Sequence, residues 1–486
     1  MTKPPEVTPK RALLRGAGWA IGMRWSIKGL GFVNTIILAR MLAPQDYGVV
    51  AMAMLIVGLI QAFLDFGVSL ALIRKDVVTK DEIDSAWTLG VIQGWVIGLL
   101  LLLASPLASV YFQEPRVLNV LVVVGFCIIV SGSGNIGLVL ARRELNFSLE
   151  FHQQVVCKFL GVCATIVSAL FMADYRALVI GVATGYLSGF ITSYLMHPYR
   201  PRWNTQKIGE IWEVTKWLTL AGIGGFLLRK SDELIAARIG STHEFGMYNV
   251  GSDLGQLPTG ELGPAMLRAF LPVLSAIQND WQRTNSAVLK TLAAVNTITL
   301  PVGFGFAAVA LPATAIVLGP NWLDAAPLVA AFAMAGTLQF AMSPLGTLLT
   351  LRGHTRVQSR IVWAEFAAFV AACALLVPQF HLLGLVWSRI LASLCSALLG
   401  VLATRRLCGI PARHIVVAIW RPFLGSIGMA LLVSLTISLV QDSLGQLVLG
   451  IVSGAVVYSA WTLATWHLAG KPEGFESTVM DYLQRR

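Results

Sequence analysis

Long apolar stretches alternate along this chain with short polar links, and each stretch is long enough to matter. At 1.5 Å of rise per residue, roughly 20 apolar residues cross a hydrocarbon layer of about 30 Å. Fourteen such stretches can be drawn, near 14–42, 47–72, 85–110, 117–140, 151–173, 176–197, 211–239, 245–275, 287–311, 325–351, 358–377, 382–404, 420–440 and 445–468. The pattern predicts an all-α polytopic membrane protein of about 14 transmembrane helices.

The polar links carry a sign. Basic residues cluster in alternate links: Arg74, Lys75 and Lys80; Arg142 and Arg143; Arg200, Arg202 and Lys207; Arg283; Arg352, Arg356 and Arg360; Arg405, Arg406 and Arg413. The opposite side holds only Arg116 and Arg176 at its links, with Arg40 and Arg238 at outer helix ends. The positive-inside rule then places both termini in the cytoplasm. The polar start of the chain runs into the first span without a small-residue cleavage site, so that span is expected to be kept.

Composition agrees and removes a rival. At 56% hydrophobic and 13% charged residues with mean hydropathy +0.72, the 486-residue chain has more apolar surface than a water-soluble core can hide. The net charge of +11 would suggest nucleic acid in a soluble protein, but here it sits in topology-setting links, so a nucleic-acid partner is rejected. Six cysteines stand singly, without the close pairing of a zinc or redox motif.

The chain also repeats. Ala39-Arg40 followed by Gln45-Asp46-Tyr47-Gly48 returns 198 residues later as Ala237-Arg238 followed by His243-Glu244-Phe245-Gly246, at the same junction between spans. An offset of six spans keeps the orientation, as in parallel repeats about an axis along the membrane normal. The expected division is a cytoplasmic N-terminus (1–13), two pseudo-symmetric six-helix bundles (14–204 and 205–410), two C-terminal helices (411–470) and a cytoplasmic tail (471–486).

Three segments carry a resemblance: the hairpin from Ile37 through Arg40, Pro44, Asp46 and Tyr47 to Gly48; the stretch Phe63 to Gly67 with Asp65; and the exit of the fourth helix, Leu140 to Phe147 with Arg142, Arg143 and Glu144. With this layout the chain resembles the Wzx-type oligosaccharide flippases of the multidrug/oligosaccharidyl-lipid/polysaccharide exporter superfamily, most closely the colanic-acid-type branch. The resemblance implies two bundles around a central cavity, alternating access, and a polyprenyl-diphosphate-linked oligosaccharide as cargo. It further implies work in a bacterial inner membrane among membrane lipids, a coupling proton or sodium ion, a polysaccharide polymerase as partner, and no cofactor.

Charges within spans cost roughly 2.5–3.5 kcal/mol each on insertion scales, so they line polar cavities or pair with one another. Arg24 and Lys28 share a stripe of the first helix with Thr35, and two cations on one face suit a diphosphate; the alternative is pairing with an acid such as Asp65. The seventh helix brings Lys216, Arg229, Lys230, Asp232 and Glu233; Arg229 and Lys230 are candidate substrate contacts, and the alternative is internal pairing, since Arg229 and Glu233 have the spacing of a pair. The eighth adds Arg268, a second candidate for the phosphate, together with Asp253, Glu261 and the helix-disturbing Pro258, Gly260, Gly263 and Pro264. Asp65 and Glu365 are candidate ion-coupling carboxylates, with neutralisation by a neighbouring cation as the alternative. Arg40 and Arg238, near Asp46 and Glu244, are expected to brace the two hairpins, and the glycine series 181, 185, 189 and 450, 454 to let helices approach closely.

Other signals are set aside. Gly132-Ser-Gly-Asn-Ile-Gly137 matches a dinucleotide fingerprint but lies inside a span without a preceding strand. There is no GxxxxGK[ST] loop and no HExxH, so ATP hydrolysis and zinc chemistry are not expected, and the chain is not expected to be an enzyme. A multidrug cation exporter of the same superfamily would want an acidic cavity, a polymerase or ligase a larger outer loop; a non-transporting scaffold stays open.

Overall fold

The computed structural model describes residues 9–64, 72, 78–144, 146–209, 226, 229–277 and 280–470, with backbone alone at 9–17, at 20 and over much of 261–276. Among the described residues the protein is helical without a β-strand. It divides into two compact units, residues 1–246 and 247–486.

The first unit contains α1 (Pro9–Ala39), α2 (Pro44–Leu64), α3 (Lys80–Phe112), α4 (Arg116–Gly132), α5 (Gly137–Arg143), α6 (Phe147–Met172), α7 (Tyr175–Met196), helical backbone over 229–239, and the first turn of α8 (Thr242–Ala276). The rest of α8 belongs to the second unit with α9 (Trp281–Ala308), α10 (Ala310–Val317), a 3-10 turn (Pro320–Ala325), α11 (Ala326–Ala341), α12 (Ser343–Leu351), α13 (Thr355–Cys408), α14 (Ala412–Ile437) and α15 (Ser443–Leu468). Nine helical segments among the described residues are long and apolar enough to cross a membrane, ten if the bent pair α4–α5 is one span. The chain is a multi-pass membrane protein. Most of these helices fall on the stretches expected from hydropathy, but α1 and α8, drawn as the spans 14–42 and 245–275, are helical without being among the nine, and the expected span 211–239 is described only at 226 and over 229–239.

Breaks in these helices have local causes. At 1.5 Å per residue, the 54 residues of α13 would reach about 81 Å, far beyond a bilayer, and the backbone turns at His381 (φ 49°, ψ −127°), three residues after Pro378. The two arms match the expected spans 358–377 and 382–404. The fourth span, drawn as continuous over 117–140, is instead bent by 63° between α4 and α5. Asn135 makes the bend: its side-chain oxygen accepts from Gly137 N (2.9 Å), its amide donates to the carbonyls of His197 (3.1 Å) and Tyr199 (2.7 Å), and its own N–H donates to Ser193 Oγ (2.9 Å). Gly132 here allows α3 and α4 to touch, since a Cβ would stand 2.8 Å from the Cα of Gly94. The glycine motif with no nucleotide to bind is thus a helix break. The eighth helix, despite its prolines and glycines, is helical from Thr242 to Ala276.

The segment after α7 is strapped to the first unit. Asp84 accepts from the Tyr199 hydroxyl (2.8 Å) and Arg202 N (3.0 Å), Thr88 Oγ1 from Asn204 N (2.9 Å), and Ser85 Oγ from Lys207 N (3.2 Å). In the second unit α14 lies along α9, with Phe304 edge-on to Phe423 at 6.1 Å, and α15 is pinned to α9 through the Tyr458 hydroxyl and Thr297 O (2.9 Å).

Candidate functional site

The first candidate site lies on α1. Its packing partner is α6: Trp19 meets Phe151 at 4.9 Å between ring centroids, and Gly22 and Gly31 leave room for Phe151 and Lys158. Arg24 is half-buried, Lys28 is exposed, and the Lys158 side chain lies against Gly31, three residues beyond Lys28. Lys158 is therefore a third cation against this stretch of helix. Hydropathy reading passed over it because one lysine barely lowers the mean of an apolar run, although a lone cation inside a span is itself a signal. Asp65, the alternative partner for these cations, lies outside the described residues, as does Lys216.

On residues 229–239 the ion pair forms between Lys230 and Glu233, three residues apart. The expected pairing was Arg229 with Glu233, and Lys230 at the three-residue step also reaches this carboxylate on the same helix face. Any phosphate reaching Lys230 would compete with Glu233. Arg268 is on the described backbone of α8, and its side chain, like that of Glu261, lies outside the described residues.

Around the repeated hairpin the acids serve the backbone. Asp46 accepts from Ala43 N and Tyr175 N, both at 3.1 Å, and Glu244 accepts from Ser241 N (2.8 Å) and Oγ (2.9 Å). Arg238 stacks over the Tyr111 ring at 5.4 Å. The two copies of the motif meet within the first unit: Gln45 Oε1 bonds His243 Nδ1 (3.0 Å), a Cβ on Gly48 would strike Thr242 O, and one on Gly246 would strike Pro44 O, each at 1.9 Å. Glu114 joins this cluster through Arg116 Nε (2.9 Å), Arg116 Nη2 (2.8 Å) and the Thr242 hydroxyl (3.0 Å). The Arg116 hydrogen bonds push the Glu114 carboxyl down to about 2, against the opposing effect of burial. Across the link after α7, burial and the Asp84 carboxylate beside it raise the Tyr199 phenol well above its usual range.

The second unit holds a cavity of about 500 Å³ between α11–α12 and both arms of α13. Glu365 is on its wall, where the Ser396 hydroxyl bonds the carboxylate and the Arg389 charge acts on it. Polar lining residues recur at helical spacing: Gln339, Ser343 and Thr350 on α11–α12, Gln358 and Glu365 on one arm of α13, Ser393 and Ser396 on the other. That spacing was present in the sequence, but uncharged polar residues do not stand out in a hydropathy profile.

Comparison with known proteins fits this architecture. The family model described as polysaccharide biosynthesis protein matches residues 37–327. The lipopolysaccharide biosynthesis protein WzxC of Escherichia coli (strain K12) is 23% identical over 419 residues, covering 84% of each chain. The succinoglycan biosynthesis transport protein ExoT of Rhizobium meliloti (strain 1021) is 22% identical over 486 residues, covering 95% of this chain and 94% of its own. Among solved structures, the lipid II flippase MurJ in an inward closed conformation superposes with a TM-score of 0.71 at 14% identity, covering 92% of this chain and 98% of that one. An inward-facing multidrug resistance MATE family transporter gives 0.57 at 15% identity, over 78% and 94%. These two likenesses show the fold.

Proposed function

This chain belongs to the polysaccharide biosynthesis protein family, and we propose that it is a flippase that carries a polyprenyl-diphosphate-linked oligosaccharide from the cytoplasmic to the outer leaflet of a bacterial inner membrane. The observation that carries the reading is the group of cations on and against α1: Arg24, Lys28 and Lys158. A diphosphate passing through the bilayer needs its charge met, and an Arg fork with mobile Lys charges does so. The relatives named for lipopolysaccharide biosynthesis and succinoglycan transport support the cargo class.

In this reading the sugar-diphosphate head enters from the cytoplasm while the lipid tail stays in the bilayer. The two units then alternate access, and release follows when the phosphate contacts weaken. No covalent step is asked of the protein. Both termini are cytoplasmic, Arg229 and Arg268 are further phosphate candidates, Glu365 and Asp65 are candidate carboxylates for a coupling proton or sodium ion, and a polysaccharide polymerase receives the product.

Reconstituted protein offered a fluorescent polyprenyl-diphosphate oligosaccharide and, separately, a lipophilic organic cation tests the reading. The expected result is movement of the lipid and none of the cation. Movement of the cation alone would convert the reading to multidrug export; movement of neither would remove transport.

A further inference from the structure

The cavity in the second unit differs in chemistry from the cations of α1. Among its described lining residues there is no Lys, Arg or His, and Glu365 contributes a carboxylate. An anion such as a diphosphate is therefore a poor occupant. A monovalent cation held at Glu365 would leave most of the cavity unfilled, since about 500 Å³ falls within the 300–1,000 Å³ of pockets that enclose organic molecules. Ser343 and Thr350 already bond the carbonyls of Phe340 and Gly346, but an acyl chain would leave Gln339 and Ser393 facing hydrocarbon, at a cost of roughly 1–3 kcal/mol per buried group.

The remaining class is neutral and rich in hydroxyls. Gln358 Oε1 is a buried acceptor with no hydrogen-bond donor among the described residues, and its amide is packed over the bare Cα of Gly346, where a Cβ would approach Nε2 to 3.1 Å. Gln339 and Ser393 offer both donors and acceptors, and Glu365, bonded by Ser396, keeps further acceptor positions. Leu338, Met342, Leu345 and Ile361 supply aliphatic surface for the C–H faces of a sugar ring.

We infer that the cavity lined by Gln358, Glu365 and Ser393 is a saccharide subsite that takes an uncharged sugar portion of the cargo, apart from the cations that meet its diphosphate. This inference rests on the flippase reading for the identity of the ligand, not for the existence of the site.

The test uses the full chain in lipid nanodiscs and a pool of diazirine-tagged, lipid-free neutral trisaccharides, with adducts mapped by peptide mass spectrometry. The expected result is labelling confined to 338–351, 358–365 and 393–400, competed by untagged trisaccharide. Glu365→Gln and Ser393→Ala, at unchanged melting temperature, should each reduce it about tenfold, the loss of one strong hydrogen bond. Labelling that is absent, dispersed or equal in both variants overturns the inference. So does saturable ²²Na⁺ binding lost in Glu365→Gln without any sugar adduct. A protein that flips lipid and takes no label fails the inference alone; one that takes the label and flips nothing fails the flippase reading alone.

Discussion

Single side chains divide here into those proposed to meet cargo and those bonded into the frame. If Lys158 belongs with Arg24 and Lys28, Lys158→Met should slow flipping of the diphosphate-linked lipid by about tenfold or more, as expected for one charge-assisted contact, while leaving insertion unchanged. Native rates in that variant would return Lys158 to a packing role. Glu114 makes a different prediction. Its folded-state carboxyl, at about 2, lies below the ordinary 4.5, so its contribution to stability is full above about pH 4.5 and is lost as pH falls through about 2. Glu114→Gln should lower the melting temperature of the purified protein near neutral pH, and the gap to native should close on acidification toward pH 2. A gap constant with pH would mean that Glu114 acts by shape alone. Little of this cluster was legible beforehand, because Glu114 and Thr242 are 128 residues apart and neither is unusual in its own link. The α1 cations were legible, since a charge inside a span is conspicuous.

At the scale of elements, hydropathy located the helices because crossing a bilayer demands a minimum apolar length, and it located the turn within α13 because Pro378 and His381 interrupt an apolar run too long for one span. It missed the bend of 63° between α4 and α5 because Gly, Ser and Asn in sequence only dilute hydrophobicity, while the bond partners of Asn135 come from residues about sixty positions away. Asn135→Leu should therefore cost roughly 1–3 kcal/mol, chiefly through the orphaned Gly137 amide, since the His197 and Tyr199 carbonyls keep the Arg200 guanidinium as donor, and is read as a lowered melting temperature. The glycine series gave a correct expectation of close contact at Gly181, where a Cβ would lie 1.7 Å from Thr165 Oγ1 and 3.0 Å from Gly161 O, and at Gly450, where one would lie 2.5 Å from Val309 Cγ1. Gly181→Val forces α6 and α7 apart at an expected cost of about 1–3 kcal/mol, whereas Gly185→Ala, with no atom within 4 Å of its Cβ, should be silent. Equal melting temperatures for the two variants would contradict this packing.

For the whole molecule the sign of the links predicts sidedness. Single cysteines at Arg202 and Arg356 should react with a membrane-impermeant maleimide only from the cytoplasmic side, and one at Asp174 only from outside; the reverse pattern would invert the topology. The family match and the helical fold make this a multi-pass membrane protein of polysaccharide biosynthesis, and in the proposed flippase the cations on and against α1 meet the diphosphate. The most direct test is the transbilayer rate of a fluorescent polyprenyl-diphosphate oligosaccharide in proteoliposomes, comparing native protein with Arg24→Ala and Lys28→Ala at matched insertion. The account predicts protein-dependent flipping that falls about tenfold or more in each variant. A native protein that moves no lipid under either a proton or a sodium gradient, or variants that flip at the native rate, would contradict it.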